Sequence, residues 1–252
     1  MKEYLERPEI FNVRFDNVTL KEAVKRAEDM LRDDSWHYIV GTNANLLRIA
    51  RHEKKYRDVI DRADLSLADG YGVICASHIL GVPLAERVPC MDLLNALLPR
   101  LFGIRIFILG GRPGIAEKAG ARLKEQYPGL IVCGSHHGFF QDPEAMAKKI
   151  AQCGPELLLV CLGSPKQEFW MAEYGPATGA RLACGCGGWI DVCAGDLKRA
   201  PESWRSHNLE WAFRFLQEPW RIGRVYLSLS LPILALWEAA GRVLKKIMAK
   251  GE

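Results

Sequence analysis

Asp69 follows the apolar run Leu65–Ala68 and precedes Gly70. A carboxylate at the end of a buried strand can act as a general base, hold a ribose or cap the next helix, and the residue order leaves all three open. Ser164-Pro165-Lys166-Gln167 is a second candidate. Ser as N-cap, Pro at the first helical position and Gln three residues on predict a capping box, a structural role that would account for Gln167. Lys166 beside the same helix start also suits an anion, so both readings stand. Arg214 and Arg221 are seven residues apart, hence on one face if helical, and Arg224 follows one turn later, with Pro219 interrupting. Isolated helix arginines are usually solvated. Interleaved with Trp211 and Trp220, these three suit an anionic partner such as a diphosphate or lipid headgroups. The chain has no Asp-x-Asp and no His/carboxylate cluster at ligand spacing, so no protein-held divalent metal is expected.

Six short runs must position these residues: His37–Gly41, Leu65–Ala68, Ile104–Leu109, Leu130–Cys133, Leu157–Leu162 and Arg181–Cys184. They are continuously apolar rather than alternating, which predicts strands covered on both faces and hence a parallel sheet. Helical periodicity lies between them at Leu20–Arg32, Leu46–Ala63, Ile115–Gln126 and Pro143–Ala151, the last opened by Asp142-Pro143. The alternation predicts an α/β fold, a Rossmann-like, doubly wound and mainly parallel sheet. Ligands of such sheets sit at the carboxyl ends of the strands. The loops there are rich in glycine: Gly41 to Asn45, Asp69 to Gly72, Gly110 to Gly114, Gly134 to Gly138, Gly163 to Gln167 and Gly185 to Gly188. Close backbone approach and helix N-termini point to a phosphorylated ligand. The Gly110–Gly114 loop lacks the Gly-x-Gly-x-x-Gly order, so a nicotinamide cofactor is not expected.

The 252 residues allow one large α/β unit with an appendage, and 49% apolar with 25% charged residues is the balance of a chain that buries a core. The net charge of +4 is concentrated: Ser203 to Lys250 holds eight Lys/Arg against three Glu. A boundary is expected near Pro201, dividing a 1–200 α/β domain from a 201–252 helical appendage. Within the latter, Ala239–Lys250 reads as a short basic amphipathic helix. Eight cysteines without an opening signal segment or any Cys-x-x-Cys pair are read as reduced thiols in the cytosol, mostly small core residues. The longest apolar stretch, Val225–Trp237, is 13 residues, short of the about 20 that span a bilayer.

Taken together, the motifs resemble the WecG/TagA/CpsF glycosyltransferases, family 26. The likeness runs over nearly the whole chain. It is carried by Asn43, Ala68-Asp69-Gly70-x-Gly72, Glu86-Arg87-Val88 with Asp92, Gly110-Gly111, Pro113-Gly114, Gly138-Phe139-Phe140 and Leu162-Gly163-x-Pro165-Lys166-Gln167-Glu168-x-Trp170. It continues through Gly187-Gly188-x-x-Asp191, Gly195, Arg199-Ala200-Pro201, Leu209-Glu210-Trp211, Arg214 and Glu218-Pro219-x-Arg221-x-x-Arg224. Two positions depart. The family pattern is Thr-x-Asn where this chain has Gly41-Thr42-Asn43, displacing its Thr by one, and Cys90 stands where Gly is usual after the Arg-Val pair.

The resemblance implies inverting, metal-independent transfer of N-acetylmannosamine or a related sugar from its UDP donor. The acceptor would be a sugar on undecaprenyl diphosphate at the cytoplasmic face of the cell membrane, with no cofactor and no nucleic-acid partner. It makes Asp69 the general base, with Arg87 and Gln167 beside it in catalysis. Thr42, Asn43, Gly111, Lys166, Gly187, Asp191, Arg214, Arg221 and Arg224 become substrate contacts, the last three reaching the diphosphate. A homo-oligomer is left open, as is a nucleotide-binding regulatory module at the membrane that would need the phosphate loops but not Asp69.

Overall fold

The computed structural model describes residues 7–207, 209–219, 223 and 230–241. It opens with a small antiparallel hairpin, β1 (Glu9–Ile10) and β2 (Val13–Arg14). Six further strands follow: β3 (His37–Thr42), β4 (Leu65–Ala68), β5 (Arg105–Gly110), β6 (Ile131–His136), β7 (Leu157–Cys161) and β8 (Leu182–Gly185). They form one sheet in the order β4-β3-β8-β7-β5-β6, every neighbouring pair parallel. The continuous apolar runs are buried on both faces because successive side chains alternate between two cores. Tyr38, Val40, Phe107, Leu109, Leu158 and Val160 enter one core, while Ile39, Leu65, Ile106, Ile108, Leu157 and Leu159 enter the other. The edge strand β6, with its Cys-Gly-Ser-His end, is only half-buried.

The helices are α1 (Leu20–Arg32), α2 (Ala44–His52), α3 (Lys54–Arg62), α4 (Tyr71–Ile79), α5 (Cys90–Leu97), α6 (Ile115–Gln126), α7 (Pro143–Gln152), α8 (Lys166–Tyr174), α9 (Trp189–Cys193), α10 (Glu202–Ser206) and α11 (Glu210–Gln217). α1 and α6 span the residues their periodicity predicts. α1 opens on a capping box between Thr19 and Glu22, and Asp142 caps α7 through the backbone N–H of Ala145. The single helix expected over Leu46–Ala63 is instead two. Glu53 is extended (φ −109°, ψ 100°), since Glu53, Lys54 and Arg57 are polar where the α2 rhythm would need apolar residues. The break resets the buried face from Leu46, Leu47 and Ala50 to Tyr56, Val59 and Ile60.

The helix start at Ser164 also differs from expectation. α8 begins at Lys166 with Pro165 in the cap position and no side-chain cap hydrogen bond. The Ser164 hydroxyl instead donates to Glu168 Oε1 at 2.7 Å, so Gln167 does not close a capping box. Beyond residue 200, α10 and α11 bury none of their residues fully. Residues 230–241 are helical, and there Leu231 and Ala235 reach the same core as Tyr38 and Val40, while Arg51 pairs with Glu238 at 3.5 Å. Arg221, Arg224 and most of the basic helix read over Ala239–Lys250 lie outside the described residues.

Candidate active site

The carboxyl ends of the strands open into a cleft of about 1060 Å³. Asp69 lies at its floor one residue past β4, its backbone N–H donating to the carbonyl of Thr42 at the end of β3 (3.1 Å). Burial among protein groups pushes its carboxyl up to about 7. The charges of Glu210 and Cys184 push the same way, and those of Arg87 and Arg214 oppose them. A carboxylate with that value is half-ionised near neutrality and can take a proton from a hydroxyl.

Two arginines, Arg87 and Arg214, act on it and line the same cleft. Arg87 precedes α5, with its guanidinium 3.5 Å from Glu210 and 4.0 Å from Asp92. Arg199 pairs with Asp92 and lies 3.9 Å from Glu210. Two arginines and two carboxylates thus tie the first turn of α11 to the loop before α5. Sequence reasoning gave Glu210 no role, although an acid in the first turn of a helix that also carries Arg214 was a readable signal. Arg214 donates to Glu218 at 2.9 Å, and its Nη2 is buried without a hydrogen-bond partner. That guanidinium lies against Gly188, where any Cβ would collide with it. The loop after β8 therefore needs glycine to admit the arginine.

Gln167 is 3% exposed and engaged at both ends of its carboxamide. Its Nε2 donates to Glu168 Oε1 (2.8 Å) and its Oε1 accepts the Gly187 N–H (3.2 Å), clipping α8 to the loop after β8. Burial raises the Glu168 carboxyl, and its hydrogen bonds from Ser164 and Gln167 oppose the rise. Glu168 is a second buried acid whose part in holding Gln167 was not legible in the sequence. Lys166 lies at the cleft wall, 3.4 Å from the Gly138 carbonyl and 5.2 Å from the Phe140 ring centre.

Asn43, Gly111, Gly187 and Asp191 also line the cleft. The Asn43 carboxamide oxygen accepts the backbone N–H groups of Asn45 and Leu46, so it caps α2 as well. Thr42 is placed elsewhere. It is 1% exposed, it does not line the cleft, and by strand alternation it shares the Val40 face. Of the residues singled out in the sequence, Asp69, Arg87, Gln167, Asn43, Gly111, Lys166, Gly187, Asp191 and Arg214 converge on one cleft, whereas Arg221 and Arg224 lie outside the described residues. Among the described residues no group of three His, Cys, Asp or Glu is placed to hold a metal ion, and no helix is long and apolar enough to cross a membrane. The eight cysteines are free thiols.

Fold and cleft together define a Rossmann-like α/β enzyme with a near-neutral carboxylate and arginines at the carboxyl edge of its sheet. The chain belongs to the glycosyl transferase WecG/TagA/CpsF family, whose model matches residues 8–246. It is similar to proteins from Staphylococcus aureus strains MRSA252 and COL, both named N-acetylglucosaminyldiphosphoundecaprenol N-acetyl-beta-D-mannosaminyltransferase. Each is 34% identical over 230 residues, covering 89% of this chain and 89% of the relative. The chain is a glycosyltransferase.

Proposed function

We propose that the protein transfers N-acetylmannosamine, or a closely related sugar, from its UDP donor to N-acetylglucosamine carried on undecaprenyl diphosphate, with inversion and without a metal ion. The reaction would belong to cell-surface polymer synthesis such as a wall teichoic acid linkage unit. The supporting observation is the Asp69 carboxyl, raised to about 7 at the floor of a cleft flanked by Arg87 and Arg214. The acceptor and sugar follow the names of the relatives.

In this mechanism Asp69 takes the proton of the acceptor hydroxyl as that oxygen attacks the anomeric carbon from the face opposite UDP. The bond from the anomeric carbon to the diphosphate oxygen breaks, and UDP leaves with the electron pair. Its growing negative charge is met by Arg87, by Arg214 and by the N-terminus of α8 with Lys166. The segment after residue 200 acts as an appendage that supplies Arg214, together with Arg221 and Arg224, and meets the inner face of the membrane. Arg214 with its unpartnered Nη2 is the described part of that contribution.

The deciding experiment is UDP release from a panel of UDP sugars with a short-chain polyprenyl-diphosphate-linked N-acetylglucosamine acceptor. Acceptor-dependent release is expected with UDP-N-acetylmannosamine and is expected to survive thorough chelation. Loss on EDTA with recovery on Mg²⁺ would end the metal-free scheme, and release from no donor would end the transferase reading of this substrate pair.

A further inference from the structure

Gly41 and Cys90 lie in different elements yet face one space. A Cβ built on Gly41, near the end of β3, would come 2.6 Å from the Cys90 sulfur, 3.0 Å from Asp69 Oδ2 and 3.2 Å from Asp69 Cβ. The first distance is below any tolerable contact, and the sulfur belongs to the first residue of α5, 3% exposed and packed in the core beneath the cleft. The thiol thus fills the room that a side chain at position 41 would need. Both residues also line the cleft beside the carboxylate.

We propose that Gly41 and Cys90 are a matched pair in which the thiol fills the room of a β3 side chain as the wall beside Asp69, making Cys90 a positioning residue for that carboxylate. A hydroxyl-bearing side chain at position 41 would bring its Cβ about 3 Å from Oδ2, so Asp69 would have to give by a few tenths of an ångström, and the hydroxyl could then donate a hydrogen bond to that oxygen. The Cys90 thiol shares its hydrogen bond with Cys184, and a thiol is a weak donor in any case, so the present pair leaves the carboxylate with less stabilisation of its ionised form than a hydroxyl would. The other titratable or charged groups acting on Asp69 are Arg87 before α5, Cys184 on β8, and Glu210 and Arg214 on α11. Exchanging residues 41 and 90 leaves Arg87, Glu210 and Arg214 in place but removes the hydrogen bond that Cys184 shares with the Cys90 thiol, so Cys90→Gly is the reference for the effect of a side chain at position 41. The mechanistic weight of the pair rests on Asp69 being the base of the proposed transfer, but the pairing itself does not.

The test compares the wild type with Gly41→Ser, Cys90→Gly and the double variant. Thermal melts of the ligand-free proteins read the packing. Gly41→Ser alone is expected to lower Tm by about 2–12 °C, the usual range for overpacking in a chain of this size, and by less than half as much in the Cys90→Gly background. Carboxyl ¹³C titration of Asp69, assigned with Asp69→Asn, reads the chemistry. In the double variant the midpoint is expected to fall by on the order of one pH unit relative to Cys90→Gly, because the new hydroxyl favours the ionised form. The acid limb of kcat/KM should move with it. Equal Tm costs of Gly41→Ser in the two backgrounds would overturn the matched pair, and an Asp69 midpoint no lower in the double variant than in Cys90→Gly would overturn the positioning role. Both readouts need no turnover. Failure of the proposed transfer would instead appear as a wild type that releases no UDP.

Discussion

Replacing Asp69 by Asn removes the proton acceptor but keeps its shape, so turnover should fall about 100- to 10,000-fold while UDP affinity changes little. Calorimetric UDP binding beside steady-state rates checks this. The same residue carries a stability signature with a definite sign. Its folded value is about 7, whereas a free Asp titrates near about 4, so between those values the native state holds a proton that the unfolded chain has lost. Stability is therefore eroded as pH rises through that window, and the erosion is complete above it. Asp69→Asn should melt like the wild type below about pH 4 and at a higher temperature above about pH 7. Thr42 behaves oppositely. Its hydroxyl is buried without a hydrogen-bond partner and does not reach the cleft, so Thr42→Val should leave turnover intact and raise stability by up to about 1 kcal/mol. A turnover loss of tenfold or more in this variant would return Thr42 to the site. Asp69 was legible in the sequence because an acid directly after an apolar run must emerge at the sheet edge. Thr42 was misplaced because a slip of one residue on a strand reverses the face.

At the level of elements, the Arg87–Glu210–Arg199–Asp92 cluster makes α11 part of the cleft wall rather than a loose extension. Glu210→Ala removes the carboxylate that faces both arginines. α11 should loosen, Arg87 should lose its orientation, and turnover should fall on the order of 10- to 100-fold with little change in the melting of the sheet domain. Limited proteolysis after residue 200, set beside kcat, checks the first two steps, and an unchanged cleavage rate would show that the cluster does not hold α11. Where one periodicity ran from start signal to stop signal, as in α1 and α6, the sequence predicts the element to the residue. The α2/α3 break was missed because both halves keep helical spacing and differ only in phase across Glu53. The β1/β2 hairpin was missed because its turn residues, Phe11 and Asn12, take positive φ without the Asn-Gly or Asp-Gly signal such turns usually show. α5 was hidden by its length: eight residues opened by a proline, without a side-chain cap.

Over the whole molecule, the helical segment 230–241 presents two different faces. Leu231 and Ala235, one turn apart, are buried in the core, whereas Ile233, Leu236 and Trp237 point outward and are more than half exposed. Pro232 of the same segment lines the cleft, so the outward apolar face lies close to the mouth through which a lipid-linked acceptor would enter. In the proposed arrangement this face dips into the membrane interface, and the basic residues Lys245, Lys246 and Lys250 add attraction to anionic lipid of about 1 kcal/mol per charge. The two contributions can be separated. Trp237→Glu should cut co-sedimentation with neutral and anionic vesicles alike, whereas neutralising the three lysines should matter only for anionic ones. Neither change touches Asp69 or the arginines, so turnover of a short-chain soluble acceptor should stay within about twofold, inside the few tenths of a kcal/mol usual for surface substitutions. Arg221→Ala and Arg224→Ala should do the reverse if those side chains reach the diphosphate, lowering soluble turnover with vesicle binding kept. Should all of these variants lose vesicle binding and keep soluble turnover, Arg221 and Arg224 would be a membrane patch alone, and Arg87 and Arg214 would have to neutralise the leaving UDP by themselves.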